Sequence, residues 1–238
     1  SSPRPVPETE AACLTPMPLL NGTFRPGHCQ EYVEGIEDPR LRDIARAEYA
    51  YFSGRAEEAV RLAELYLSHP DLALRLSACL IYAYANLTLG QIHRARHALA
   101  EVRNMLSTAD EHTPPQLLAS AVFVVATAAV LLHLPMPEVV DSLQEQLRLL
   151  PPGLRMFALY VQAHHTYLQG DYGKSIGIVE TAFAMQAEAC PIPSIYMHLA
   201  AVMDYMSLKQ PEQAQAHLLA AWDLAQPDGL IEAFGEHH

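Results

Sequence analysis

The sequence predicts an all-α fold, a right-handed superhelix (an α-solenoid) built from about five consecutive helical hairpins. Three observations lead to this fold class. Helical periodicity of the apolar residues runs from residue 38 to residue 226. Within that range a turn signal recurs at intervals of 36 to 44 residues, which is typical of stacked hairpins. No alternating strand pattern bounded by turn residues occurs, so a sheet is not expected.

Residues 1–37 are expected to form an N-terminal extension or linker. Six prolines and three glycines in this stretch prevent a long helix. Apolar residues such as Met17, Leu19 and Leu20 indicate that part of it docks on the first repeat. The chain is therefore divided into this extension, a repeat domain over residues 38–226 and a closing stretch, 227–238.

Two helices are expected for each hairpin. Several helix starts are marked by a residue that can cap a helix, followed by a first-turn proline, as at Asp38-Pro39 and Gln210-Pro211. Ser194 is a further expected cap, after Pro191 and Pro193. The expected helices are 39–53, 56–68, 72–89, 92–106, 114–133, 137–149, 154–169, 172–188, 194–208 and 211–225.

Each hairpin turn is expected at a residue that can adopt the left-handed backbone conformation. Glycine does so without steric cost, and Gly54, Gly90 and Gly170 mark three of the turns. Leu134 and Lys209 hold the equivalent positions in the other two hairpins without a glycine. A small residue one turn into each second helix, such as Ala59, lets the paired helices approach closely.

Charge and hydropathy restrict the class of function. The chain has 15 Lys and Arg against 27 Asp and Glu, a net charge of −12, and its basic residues are dispersed, so no nucleic-acid contact by this segment is expected. The apolar stretch 117–134 is long enough to span a bilayer, but it lacks basic flanks and coincides with a required helix. A buried helix is therefore expected, in a cytoplasmic protein whose scattered cysteines fit a reducing compartment.

Two short motifs that look like functional sites are better explained as parts of helices. Gly173-Lys174-Ser175 is similar to the end of a phosphate-binding loop, but Leu168 stands where that motif needs a glycine. His93 and His97 lie four residues apart without an evident carboxylate partner, so a solvated helix face is expected. The sequence offers no nucleophile elbow, metal signature or glycine-rich cofactor loop, so no catalytic residue, metal or cofactor is predicted.

The predicted binding surface is the concave face of the superhelix, which the first helix of each hairpin lines. Tyrosines on such a face offer a flat apolar ring with a polar tip, which suits a peptide or a small organic ligand. The alternative is that they only pack between helices. Extending the helical phase from the turns places on this face Glu48, Tyr51, Tyr84, Leu87, Tyr160, His164, Tyr167, Tyr196, Met203 and Met206.

Taken together, the hairpins over about residues 39–226 resemble tetratricopeptide repeats, the best copy being Gly170-Asp-Tyr172-Gly-Lys-Ser175. The closing run, from Ala220-Ala-Trp222 through Pro227-Asp-Gly229 to Phe234, resembles the end of the MalT-like repeat region of large LuxR-type transcriptional regulators. In that family the repeat region recognises an inducer or a partner protein and is flanked by an ATPase module and a DNA-binding module. Neither flanking module is recognisable in these residues.

The resemblance implies a ligand- or partner-sensing repeat domain of a bacterial LuxR-type regulator. It would bind a small-molecule effector or a protein or peptide partner, and would contact DNA only through a separate C-terminal domain, with residues 227–238 as the linker toward it. The alternative is a general tetratricopeptide scaffold for protein–protein interactions. An α-helical enzyme is a third possibility. It would be favoured if titratable groups such as Glu48 and His164 clustered in a closed pocket.

Overall fold

The computed structural model of the chain describes residues 15–131, 145–185 and 190–237. These residues form helices and connecting turns, with no strand among them, so the all-α prediction is confirmed. The predicted helix 137–149 and the turn at Leu134 lie largely outside the described residues. The helices are α1 (Cys29–Glu34), α2 (Pro39–Phe52), α3 (Ala56–Glu64), α4 (Leu72–Thr88), α5 (Ile92–Ser107), α6 (Pro115–Leu131), α7 (Pro152–Leu168), α8 (Tyr172–Met185), α9 (Pro191–Ser207), α10 (Pro211–Ala225) and α11 (Glu232–Glu236).

Of the predicted caps, Asp38 is confirmed, whereas the Gln210 side chain makes no capping hydrogen bond at the start of α10 and Ser194 does not cap a helix. The Asp38 carboxylate accepts a hydrogen bond of 2.9 Å from the backbone amide of Arg40, as expected of an N-cap. Helix α9, however, starts at Pro191 and not after Ser194. Proline fits the first turn because the amides there need no partner within the helix. Ser194 lies inside the helix, where its hydroxyl donates to the carbonyl of Cys190.

The four described hairpin turns share one backbone geometry. The amide of the residue after the turn position donates to a carbonyl five residues earlier, as from Asp171 to Thr166 (3.2 Å) and from Gln210 to Tyr205 (2.8 Å). This bond and the left-handed conformation before it define a Schellman turn, which satisfies the carbonyls at the end of the first helix. The turn positions have φ of +84°, +77°, +85° and +58° at Gly54, Gly90, Gly170 and Lys209.

The hairpins pack in chain order. Helix α2 pairs with α3, α4 with α5, α7 with α8 and α9 with α10, and the first helices also contact one another in the succession α2, α4, α6, α7 and α9. Helix α6 lies against α4, α5 and α7, so its apolar surface is covered by protein, as expected, over residues 117–130 of the apolar stretch. In the described part of the chain, none of the helices combines the length and the apolar character that a membrane span requires.

Both terminal stretches pack on the repeats. Met17, Leu19 and Leu20 are buried in the core, so the expected docking of the N-terminal extension is confirmed for these residues. The Asp228 carboxylate accepts hydrogen bonds from the amides of Gly27 (2.8 Å) and Cys29 (3.0 Å), which ties the two stretches together.

The closing stretch, predicted to be a linker, packs on the repeat domain over its described residues. Helix α11 contacts both α9 and α2, the first helices of the last and first hairpins. The rings of Phe52 in α2 and Tyr196 in α9 also touch, with centroids 6.0 Å apart. The first and last hairpins therefore meet, and α11 lies where they do.

Candidate functional site

Four of the predicted tyrosines belong to one aromatic cluster between the first helices. The ring centroids of Tyr51 and Tyr84 lie 5.7 Å apart, and those of Tyr160 and Tyr196 lie 5.2 Å apart. Phe157 of α7, which the sequence analysis did not include, contacts Tyr84, Tyr160 and Tyr196. Its ring is apolar and carries no functional group, so only the helical phase of α7 could have identified it. We call these five residues the inner aromatic cluster.

The hydroxyl groups of this cluster face a carboxylate from the end of the chain. Glu236 in α11 accepts a hydrogen bond from the hydroxyl of Tyr51. Tyr51 and Tyr196 are each only 2% exposed, whereas Glu236 keeps part of its surface open to solvent. Although the residue is partly exposed, its carboxyl group is withdrawn from solvent. The buried Tyr51 phenol of α2 is thus paired with a buried carboxyl group of α11.

A histidine follows the carboxylate and binds a third tyrosine. His237 Nδ1 lies 2.6 Å from the carbonyl oxygen of Ala233, and Nε2 lies 2.7 Å from the Tyr160 hydroxyl. A carbonyl can only accept, so Nδ1 carries the proton and, in the neutral ring, Nε2 accepts from Tyr160. The His237 ring also contacts His164, at 6.0 Å between centroids. Residues 236 and 237 therefore supply acceptors for Tyr51 and Tyr160.

An open cleft of about 490 Å³ adjoins this region. Its wall is mainly apolar, with Tyr167, Ser207 and His237 contributing polar groups. Tyr167 and Met203 from the predicted surface line it, and so does Met206, while His164 stacks on Tyr167 at 6.3 Å between centroids. The lining residues are Tyr167, Leu199, Val202, Met203, Met206, Ser207, Leu218, Phe234 and His237.

Glu48, predicted on the same face, lies elsewhere. It is fully buried, and its two carboxylate oxygens accept hydrogen bonds from the amides of Leu19 (2.9 Å) and Leu20 (2.7 Å). The N-terminal extension covers this part of α2, which the helical phase alone cannot show. Glu48 and His164 therefore do not share a pocket, and the arrangement that would have favoured an enzyme is not formed by these two groups.

Burial and the nearby carboxylate shape the electrostatics of the inner aromatic cluster. Desolvation raises the pKa of Tyr51, Tyr160 and Tyr196 well above that of a free tyrosine, and the charge of Glu236 raises it further. Burial also raises the pKa of the Glu236 carboxyl group, to about 7. These phenols therefore stay protonated near neutral pH, so they serve as hydrogen-bond donors and not as bases.

A second buried carboxyl group joins α7, α8 and α9 beside the cleft. The Ser175 hydroxyl oxygen lies 2.8 Å from the Ala163 carbonyl oxygen and 2.8 Å from Asp204 Oδ2. A hydroxyl has a single proton and a carbonyl cannot donate, so Ser175 donates to Ala163 and accepts from a protonated Asp204. Burial accordingly raises the pKa of Asp204 to about 7. Ser175 of the Gly-Lys-Ser run is thus a structural residue in the first turns of α8, as expected.

The Asp204 carboxyl group makes the stability of the fold depend on pH. The folded chain holds this proton up to about pH 7, whereas the unfolded chain releases it near 3.8. Unfolding free energy is therefore expected to fall by about 2 kcal/mol between about pH 5.5 and about pH 8. Urea unfolding of Asp204→Asn, which keeps a donor toward Ser175, should show a shallower pH dependence and greater stability near pH 8. The exposed Glu212→Gln in α10 is the control, and an equal pH dependence in wild type and Asp204→Asn would contradict the assignment.

Among the described residues, no group of three or more His, Cys, Asp or Glu side chains is placed so that it could hold a metal ion. His93 and His97 are both exposed on α5, in agreement with the expected solvated face.

Comparison with known proteins finds no family model, no curated protein and no solved structure that matches this chain.

Proposed function

We propose that this chain is a ligand- or partner-sensing repeat domain of a bacterial LuxR-type transcriptional regulator, folded as a right-handed superhelix of five tetratricopeptide-like hairpins. The observation that carries the proposal is the cleft lined by Tyr167 and Met203, which opens beside the inner aromatic cluster at the ends of the first helices. The repeated turn geometry supports the repeat class, and the closing run from Trp222 to Phe234 supports the regulator.

The chemistry of the cleft fits a small organic effector. Its volume of about 490 Å³ lies within the range of small-molecule sites, and its wall is apolar with a few polar groups at one side. Met203 and Met206 supply flexible, polarisable surface that adapts to the shape of a ligand. Tyr167 and Ser207 supply hydroxyl groups for hydrogen bonds that fix its orientation. The domain acts by binding, needs no cofactor, works in the cytoplasm and leaves DNA contact to a separate domain.

The alternative, a protein-interaction scaffold, is favoured by an exposed apolar surface that adjoins the cleft, since Leu218 belongs to both. Leu218, Leu219 and Trp222 on α10 are 44%, 55% and 46% exposed, which is unusual for large apolar side chains close together on one helix. A partner helix or strand that covers them would bury substantial apolar area. If Leu219→Glu abolishes the binding of a protein partner, and no ligand binds in the cleft, the scaffold function is favoured.

A thermal-shift screen against sugars, amino acids, nucleotides, organic acids and short peptides tests the sensing function. A ligand of the folded state raises the melting temperature in a saturable manner. Met206→Glu places a charge in the apolar cleft at a residue that is 58% exposed, so it should weaken ligand binding at least about 10-fold with little loss of stability. Leu65→Glu, at a residue 71% exposed and outside the cleft, is the control.

The regulator assignment needs its own measurement. In a full-length regulator that contains this segment, Met206→Glu should abolish the transcriptional response to the ligand while promoter binding is retained. An unchanged response with Met206→Glu, or an equal loss with Leu65→Glu, would overturn the proposal.

A further inference from the structure

A second open cleft lies between α7, α8 and a short 3-10 turn (Leu147–Leu149) that precedes α7. Its volume is about 810 Å³, which lies within the range of small-molecule sites. It shares no lining residue with the cleft beside the inner aromatic cluster. Its wall combines apolar side chains, among them Leu159, Ile178 and Met185, with three cationic ones, Arg148, Arg155 and Lys174. We call it the basic cleft.

Positive charge is concentrated at the basic cleft in a part of the chain that is otherwise strongly acidic. After residue 103 the sequence contains four basic residues against 14 Asp and Glu. Three of those four basic residues line the basic cleft, and Glu145 is the acidic residue in its wall. The wall therefore carries three positive charges against one negative charge, in a chain whose net charge is −12. Such a wall attracts an anionic ligand.

Two of the three cations are available to a ligand. Arg148 and Lys174 are exposed, and none of the ion pairs within the described chain involves either side chain. Arg155 has a different role, because its guanidinium donates to the carbonyl oxygens of Leu147 (3.0 Å) and Leu150 (2.9 Å) and holds the 3-10 turn against α7. Hydrogen bonds between an anionic group and such cations are stronger than those between neutral groups.

Gly177 leaves open space in the wall of the basic cleft. It lies inside α8, where glycine is among the least favourable residues. A Cβ atom at this position would meet nothing within 4 Å, so packing inside the chain does not require a glycine here. A glycine in a cleft wall does, however, let a ligand approach the backbone of the helix closely.

We propose that the basic cleft binds a small amphipathic anion, whose acidic group pairs with Arg148 and Lys174 and whose apolar body contacts Ile178 and Met185. The ligand class is an organic acid with an acyl or aryl body. A small molecule is favoured over a protein partner because the site is a concave cleft of small-molecule size. This second site does not depend on the proposed sensing cleft or on the regulator assignment.

NMR of methionine methyl groups tests the site, with octanoate as the probe. Met185 is 76% exposed and lines the basic cleft, whereas Met206 lines the other cleft. Octanoate should shift the Met185 methyl resonance in a saturable manner, and the Met185→Leu variant assigns that resonance. Because they lack the negative charge, 1-octanol and octylammonium should bind at least about 10-fold more weakly. No shift at Met185, a shift confined to Met206, or equal binding of octanoate and 1-octanol would overturn the proposal.

Charge variants test the role of the two available cations. Arg148→Gln combined with Lys174→Gln should raise the dissociation constant for octanoate at least about 10-fold, because hydrogen bonds to charged groups are lost. Lys209→Gln is the matched control, since Lys209 is the fourth basic residue of this part of the chain and lies outside the basic cleft. It should change the constant by less than about 2-fold. Equal effects of the double variant and of Lys209→Gln would contradict the proposal.

Filling the basic cleft gives a readout that a purely structural role cannot produce. Gly177→Leu should raise the melting temperature, because leucine favours a helix, and yet weaken octanoate binding at least about 10-fold. Gly173→Leu is the control, because a Cβ atom at Gly173 also meets nothing within 4 Å and this residue does not line the basic cleft. Octanoate binding that is unchanged in Gly177→Leu would show that the ligand lies elsewhere.

Discussion

Replacing Glu48 by alanine is expected to lower the free energy of unfolding by about 2 to 5 kcal/mol. The carboxylate is fully buried and is the acceptor for two buried backbone amides, those of Leu19 and Leu20. A buried amide left without an acceptor costs about 1 to 3 kcal/mol, and alanine leaves both amides in that state. The N-terminal extension would then lose its main polar attachment to α2. Urea unfolding followed by circular dichroism measures the change.

Two further variants separate this hydrogen-bonding role from a general effect of removing a glutamate. Glu48→Gln keeps one acceptor oxygen and the same shape, so it should cost about half as much as alanine. Glu57→Ala removes an exposed glutamate from α3 and should change stability by less than about 0.5 kcal/mol. A loss for Glu48→Ala no larger than for Glu57→Ala would contradict the assigned role.

The repeat pattern could be predicted because its determinants are local. A Schellman turn involves residues within one helix end, so Gly54, Gly90 and Gly170 each specify a turn through their neighbours in the sequence. Lys209 adopts the same conformation with φ +58° without being glycine, and only its position in the repeat identified it. The predicted start of α9 is wrong because the prediction takes Pro191 and Pro193 to precede the helix. In the structure both prolines lie in its first turn.

The contacts between the two ends of the chain could not be predicted in the same way. Asp228 binds the amides of Gly27 and Cys29, about 200 residues earlier, and neither partner belongs to a periodic pattern. The same holds for Glu236, which lies in a stretch interpreted as a linker. Composition and period describe how a helix presents its faces, but not which distant segment covers them.

The candidate site shows what helical phase can predict and what it cannot. Helical phase grouped Tyr51, Tyr84, Tyr160 and Tyr196, and the structure places their rings in one cluster packed between the first helices. The same phase also selected Glu48, one turn before Tyr51, where the N-terminal extension supplies its partners. A residue on the inner side of a first helix faces either open space or another part of the chain, depending on where the terminal stretches dock. That docking is determined by side-chain contacts between residues far apart in the sequence.

Gly153 provides the sharpest test of how the N-terminal extension docks. A Cβ atom at this position would lie 2.3 Å from the carbonyl oxygen of Leu20 and 2.6 Å from the Cα of Asn21, both backbone atoms that cannot rotate away. The Asn21 side chain also accepts a hydrogen bond of 2.9 Å from the amide of Leu154. Glycine is therefore required here because two backbone segments touch, and not because of a turn.

Gly153→Ala is accordingly expected to destabilise the fold by about 1 to 3 kcal/mol, since α7 and the extension must move apart. Gly173→Ala is the matched control, because that glycine also lies in the first turn of a helix, α8, but a Cβ there meets nothing within 4 Å. It should stabilise the fold by about 0.5 to 1 kcal/mol through helix propensity. Urea unfolding of both variants decides the matter. Equal effects of the two substitutions would mean that residues 19–21 do not pack against α7 in solution, and opposite signs would establish that they do.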